Sequence, residues 1–181
     1  MVYTRPPAPG DLALVESFCN TAAFLRGTDA LAEPEGARAW LGGQGFAAGG
    51  VEPGEAQRLR TVREAVRDHL QGREAGPARR RLSAESHTLL GPPRWRAQEP
   101  APRLIGAAAE DAGGAEGLLA AVLAAVAAAE IGGRRDRLKV CAAPECRWVF
   151  YDRSPANSGS WCSMEICGAR HKMRSYRTRR G

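Results

Sequence analysis

Lysine is almost missing from this chain. Of 26 basic residues two are lysines, and arginine, alanine and glycine dominate, a pattern set by coding bias before function. Long apolar runs are scarce too. The most apolar stretch, GLLAAVLAAVAAAEI (Gly117–Ile131), is shorter than the roughly 20 residues of an ordinary membrane span. It is rich in alanine and contains Glu130, so it reads as a buried helix, and no membrane partner is expected. The opening MVYTRPPAPGD has no apolar run ahead of a small-residue cleavage site. The expected location is therefore cytoplasmic, where reducing conditions disfavour stable disulfides. There is no internal repeat, no heptad run and no phosphate-binding glycine motif. No serine, histidine and acid set falls in a catalytic context, and His69 and His87 read as structural or solvent residues. No enzyme is expected. The rival would be an active site within residues 1–133, with acids converging on His69 or His87 in a pocket.

What is present divides unevenly. With 181 residues, 25% charged and 44% apolar, the chain reads as globular, one domain or a medium domain plus a small module. Residues 134–181 hold 12 Arg/Lys against 4 Asp/Glu, a net +8. Residues 1–133 hold 14 against 16, a net −2. That asymmetry predicts a distinct module, residues 137–180, with an anionic partner. A solubilising tail is the plainer alternative.

The expected fold class is mainly α with small β elements (α+β). Residues 1–133 are expected to be mostly helical. Asp11–Arg26 carries Leu12, Val15, Phe18, Cys19, Ala22 and Leu25 at helical spacing, with Asp11 as its cap and Cys19 as a small core residue. A short helix over Ala37–Gly42 stops at Gly42 and Gly43, and GFAAGG makes a loop. A longer helix follows from Glu55 to Arg73, with Leu59, Val62, Val66 and Leu70 on one face. Its Arg60, Arg63 and Arg67 read as solvated-face or salt-bridge residues. Pro77–Leu90 is expected to begin helically and end extended. Segments at Thr88–Leu90, Arg94–Ala97 and Arg103–Ala107 would form a small antiparallel sheet. Asp111–Gly114 reads as a loop, and the helix Gly117–Ile131 is closed by Gly132 and Gly133.

Four of the five cysteines fall in CAAPECRWVFYDRSPANSGSWCSMEIC. Cys141 and Cys146 form one pair and Cys162 and Cys167 the other, each with four residues between its members. A structural zinc ion takes four such thiolates at tetrahedral geometry, and close pairs let a local turn present two sulfurs at once. Pro144 favours such a turn. Disulfides, free thiols and an iron–sulfur cluster are the alternatives. With four thiolates no position remains open for water, so the expected metal is structural, one Zn(2+) per chain, supplying folding energy to a module too small to hold itself together. Four thiolates and one divalent ion would still leave the module at about +6. Between the pairs, RWVFYD favours a strand. Trp148 and Phe150 would lie on one face, Val149 and Tyr151 on the other. SPANSG would be the turn of a hairpin and Ser160-Trp161 the start of its return. These aromatics are expected to pack on the metal site or a neighbouring helix, with Tyr151 as a candidate stacking platform.

From about Ser163 to Arg177 the chain reads as a helix. Arg170, Arg174 and Arg177 share one face, and Met173, Tyr176 and Arg180 another. An arginine stripe held by a rigid site suits phosphate contacts. His171 reads as a surface residue.

The segment RLKVCAAPECRWVFYDRSPANSGSWCSMEICGARHKMRSYRTRR resembles the CGNR zinc-finger family. The family's ligands would fall on Cys141, Cys146, Cys162 and Cys167. WVFYDRS is similar to its central strand and turn, and Trp161-Cys162-Ser163-Met164 to its entry to the second pair. The naming tetrapeptide stands here as Cys167, Gly168, Ala169 and Arg170, with Ala169 where the family has asparagine. The preceding part resembles the ABATE, or stress-induced regulator, domain. It does so through VESFCNT (Val15–Thr21, against the family's LDFVNT), Ala39-Trp40-Leu41, and the arginine-bearing helix around Arg63–Leu70. The resemblance implies a bacterial, often actinobacterial, protein that binds nucleic acid and regulates transcription. The expectation is a DNA-binding regulator whose Arg170, Arg174 and Arg177 contact phosphate, helped by Lys172, Arg179 and Arg180. A protein-interaction zinc module and an RNA-binding protein are the alternatives. Residues 1–133 would sense a small molecule, pair as a homodimer or contact another protein.

Overall fold

A computed structural model describes residues 5–46, 49–72, 75–92 and 113–179. The chain is mainly helical. In order it forms α1 (Leu12–Cys19), a two-residue ladder β1 (Ala22–Ala23) and β2 (Thr28–Asp29), α2 (Pro34–Gly43), α3 (Pro53–Gln71), α4 (Ala75–Leu89) and α5 (Gly114–Ile131). It ends with β3 (Leu138–Val140), β4 (Val149–Tyr151) and α6 (Ala169–Thr178). The α+β class expected from the sequence is the one observed.

α3 is the central helix. Pro53 opens it, a reciprocal capping box joins Glu52 and Glu55, and Gly72 closes it in the left-handed conformation at φ 73°. It packs against α1, α2, α4, α5 and β3. That surrounding decides between the two readings of its arginines, and Arg63 and Arg67 are buried and ion-paired rather than solvated. Arg63 is 3% exposed and Arg67 0%. Arg63 donates to both carboxylate oxygens of Asp29, at 2.6 and 2.8 Å, and to the Thr21 hydroxyl at 3.0 Å. Arg67 donates to the Cys19 carbonyl and to Glu64. Arg60 reaches the carbonyls of Leu31 and Ala32. A helix covered on several sides buries its polar positions as well as its apolar stripe, and buried charge must then be paired.

α5 is apolar all round because neighbours surround it. It contacts α1, α2, α3 and α4, and buries Leu118, Leu119, Val122, Leu123 and Val126. By length and composition alone it is apolar enough to cross a membrane, but those side chains lie in the core with α1 to α4. Its end is a Schellman motif. Gly133 adopts φ 64°, and Arg134 N–H reaches back to the Ala129 carbonyl at 2.8 Å.

Other expectations need correction. The helix expected over Asp11–Arg26 ends at Cys19, because Asn20 uses its side chain to hold β4 and the chain then turns into β1. Asp11 sits at the N-cap position without a side-chain capping bond. Thr88–Leu90 is not a strand. α4 runs helically to Leu89, whose side chain is buried in the core. The expected extended segments Arg94–Ala97 and Arg103–Ala107 lie outside the described residues. β4 pairs antiparallel with β3, Leu138 opposite Tyr151 and Val140 opposite Val149, rather than with Ser160-Trp161. The return strand contributes one backbone bond, Ala142 N–H to the Ser160 carbonyl at 2.8 Å.

Candidate metal centre and its basic helix

The first cysteine pair grows out of the β3–β4 hairpin. Cys141 N–H still bonds the Trp148 carbonyl at 2.8 Å as the ladder ends. Cys146 N–H closes a turn on the Ala143 carbonyl at 2.9 Å, with Pro144 inside it. Arg147 follows at φ 50°, a left-handed position that reverses the chain into β4. The second pair sits in a helical entry. Ser163 caps it, its Oγ accepting the Ile166 N–H at 3.2 Å, and a wide π-type turn over Met164–Gly168 carries Cys167 into α6. Gly168 packs closely under the Met164 side chain. A Cβ there would stand 3.0 Å from the Met164 sulfur and 3.1 Å from its methyl.

These two turns bring all four sulfurs together in a buried cluster. Cys146 Sγ and Cys162 Sγ are 3.6 Å apart, Cys162 Sγ and Cys167 Sγ 3.7 Å, and all four sulfurs lie within 4.8 Å of one another. Four thiolates around zinc at about 2.3 Å stand roughly 3.8 Å apart at the corners of a tetrahedron. The donor set therefore fits a structural zinc site. It does not fit disulfides, which need about 2.05 Å, and all five cysteines are free thiols. A multi-iron cluster would wedge the sulfurs apart, whereas these are in contact.

The electrostatics agree. Thiol hydrogen bonds from Cys146 and Cys162 favour ionised Cys141 and hold its pKa far below the usual thiol range, at about 2. Cys141 and then Cys146 oppose ionisation of Cys162 and raise its pKa, and burial with the Cys141 charge pushes Cys167 up to about 12. Without a cation Cys162 and Cys167 resist ionisation, and a divalent ion removes that penalty.

Around the sulfurs, Phe150 is buried in the cysteine cluster, with Trp148, Trp161 and Leu25 packed on it. Val149 belongs to the main core, with Tyr151 packed against it, so the alternation read from the sequence divides the strand between two cores. Tyr151 is half-buried and Arg153 covers its ring at 5.2 Å, which removes it as an open stacking platform. His171 is exposed and stacks on Trp161, ring centres 4.8 Å apart.

The basic residues Arg170, Lys172, Arg174, Arg177 and Arg179 are all exposed on or just after α6, and Arg180 lies outside the described residues. Arg174 bonds Glu145 at 2.8 Å, tying α6 to the first cysteine turn. Ala169 points outward at the first turn of α6, so the missing asparagine amide does not disturb the cluster.

Three residues central to the site escaped sequence reasoning. Asn20 pairs with both backbone groups of Val149, each at 2.8 Å, as a strand edge would. Arg147 donates to Asp68 on α3. Asp152, 3% exposed, organises the loop before the second pair. Asp152 carried a signal in the Asp-x-Ser pattern of an Asx turn, and Asn20 stood in the VESFCNT motif without its role being legible there.

The model of the CGNR zinc finger matches residues 137–180. The model of the ABATE family, described as "Putative stress-induced transcription regulator", matches residues 11–133, more than half of the chain. No curated protein matches it. Both families are regulatory and non-catalytic. The four buried sulfurs, the basic helix behind them and the helical body to which they are fixed are thus the features of a zinc-binding regulatory module, and the chain belongs to the ABATE family and carries a CGNR zinc finger.

Proposed function

We propose that Cys141, Cys146, Cys162 and Cys167 hold one structural zinc ion per chain, and that the protein is a cytoplasmic DNA-binding transcriptional regulator. One observation carries the reading. From Gly168 onward the chain contains six Arg/Lys and no acid, and the five described ones are exposed on a helix anchored at Cys167. Zinc would fix the direction in which that helix projects, and Arg170 and Arg177 would meet phosphate first. Lys172, Arg179 and Arg180 would add charge. Arg174 would share its guanidinium with Glu145. In this reading residues 137–180 bind DNA, and residues 1–133 sense a ligand, pair two copies or meet another protein.

Salt dependence tests it. Three to four phosphate contacts predict a fall in duplex affinity of roughly 50-fold between 50 and 200 mM salt. Replacing Arg170, Arg174 and Arg177 together with alanine should flatten that dependence while leaving zinc stoichiometry by native mass measurement unchanged. Affinity that ignores both salt and the triple replacement sinks the reading. It would favour protein contact instead, for which Met173 and Tyr176, 57% and 48% exposed on the same helix, offer apolar surface.

A further inference from the structure

The arginines of α3 and α4 have different fates. Those of α3 are held by the protein itself: Arg58 by Glu85 and Glu116, Arg60 by two carbonyls, Arg63 by Asp29 and Arg67 by Glu64. On α4, Arg79, Arg80 and Arg81 are exposed, and none of them has a partner among the described residues. The one acid in α4, Glu85, is largely buried against Arg58. Three cations without a counterion thus stand in residues 1–133, a part of the chain whose acids outnumber its bases by 16 to 14.

Pro77, Arg80, Arg81 and Ala84 follow the spacing of one helical face and line an open depression of about 300 Å³. The other exposed side chains of the second half of α4 are Ser83, His87 and Thr88, so no large apolar group stands on this surface. A protein partner needs an apolar or aromatic anchor, and a membrane surface needs an apolar helix face. A row of phosphates needs neither.

The surface lies at the finger's end of α3. Only three residues separate α3 from α4, and Arg58 near the start of α3 pairs with Glu85 near the end of α4, so the two helices are antiparallel. Arg79–Arg81 therefore lie beside the C-terminal half of α3, the half that Arg147 fastens to the finger through Glu64 and Asp68.

We propose that the exposed face of α4, centred on Arg79, Arg80 and Arg81, is a second phosphate-contact surface for the duplex that α6 holds. The inference rests on the DNA-binding reading above. It makes the salt dependence of the intact protein steeper than α6 alone gives.

Fluorescence anisotropy of a labelled mixed-sequence duplex with the full metal-bound chain, between 50 and 200 mM salt, tests it. Replacing Arg79, Arg80 and Arg81 together with alanine, the best helix former, should keep the thermal midpoint. It should lower the slope of log affinity against log salt by about 2.7, and Arg80→Ala alone should lower it by about 0.9. Arg38→Ala, which removes an exposed charge from α2, should leave the slope unchanged. An unchanged slope in the α4 variants, or an equal loss from Arg38→Ala, overturns the proposal and leaves the DNA-binding reading to the α6 replacement. A duplex affinity of the intact protein that ignores salt overturns both. A triple α4 replacement that spares the duplex but abolishes binding to phosphatidylglycerol vesicles or to a polyglutamate peptide also overturns it, and gives the face to that partner.

Discussion

Three donors converge on the Asp152 carboxylate. They are the N–H groups of Ser154 at 2.9 Å and Gly159 at 2.6 Å, and the Lys139 ammonium at 3.1 Å. Burial alone would raise its pKa, but these donors outweigh burial and hold the carboxyl below the usual range. Gly159 is glycine for the same reason, since a Cβ there would stand 2.8 Å from an Asp152 oxygen. Asp152→Asn keeps the shape but turns an acceptor into a donor facing a donor. The expected loss is about 2 kcal/mol of stability, read as a lower urea midpoint. Because the folded pKa is depressed, the carboxylate's contribution is complete above the unfolded value of about 3.9 and is lost only as pH falls below it. The gap between Asp152→Asn and the parent should therefore stay constant from about pH 5.5 to 8. A gap that closes on acidification within that window would mean the carboxyl is not depressed. Single residues are also where sequence reading failed most clearly. A salt-bridge role for Arg63 and Arg67 was legible, with Glu64 close to both, but their burial was not, because their partners Asp29, Thr21 and Cys19 lie more than 30 positions away and share no period with them.

At the scale of elements, β4 shows both what alternation reveals and what it conceals. The period of two in Trp148–Tyr151 assigns opposite faces correctly, Phe150 to the cysteine cluster and Val149 to the main core. It says nothing about pairing partners, and the strand borrows two. β3 supplies one edge, and the Asn20 amide imitates a strand on the other. The same limit shortened α1. Apolar spacing carries the expected helix on to Leu25, whereas the chain leaves it at Asn20 to place this amide. Leu25 then packs on the cysteine cluster rather than on the helical core. The cysteine turns were legible because ligand spacing is a local property. Asn20→Ala strips both bonds from half-buried backbone groups and should lower stability by about 2 kcal/mol at unchanged m. Asn20→Asp cannot donate to the Val149 carbonyl and should fare no better. If Asn20→Ala shifts the urea midpoint by less than experimental scatter, the amide is not acting as a strand edge.

For the whole molecule, the uneven charge suggested two parts, and the two family matches meet between residues 133 and 137. The cores do not divide there. Leu138 and Val149 are fully buried with the side chains of α1, α3 and α5, and Arg147 crosses the seam to Asp68. The strap before α1 crosses it again, where Arg153 donates to the carbonyls of Pro6 and Pro7 at 3.1 and 2.7 Å. Seams of this kind are made by isolated side chains with no shared spacing, so composition shows a boundary where packing shows continuity. Metal removal should therefore reach the helices. Releasing the cysteine turns frees β3 and β4, and withdrawing Leu138 and Val149 from the core costs about 2 kcal/mol each. For a chain of this size that sum lowers the thermal midpoint by roughly 10 °C. Stripping the chain with a strong chelator, or replacing Cys141 with serine, should shift a single helical melting transition downward by that amount. Were the helical transition to hold its midpoint while the finger melts separately, the shared core would be stabilising neither part.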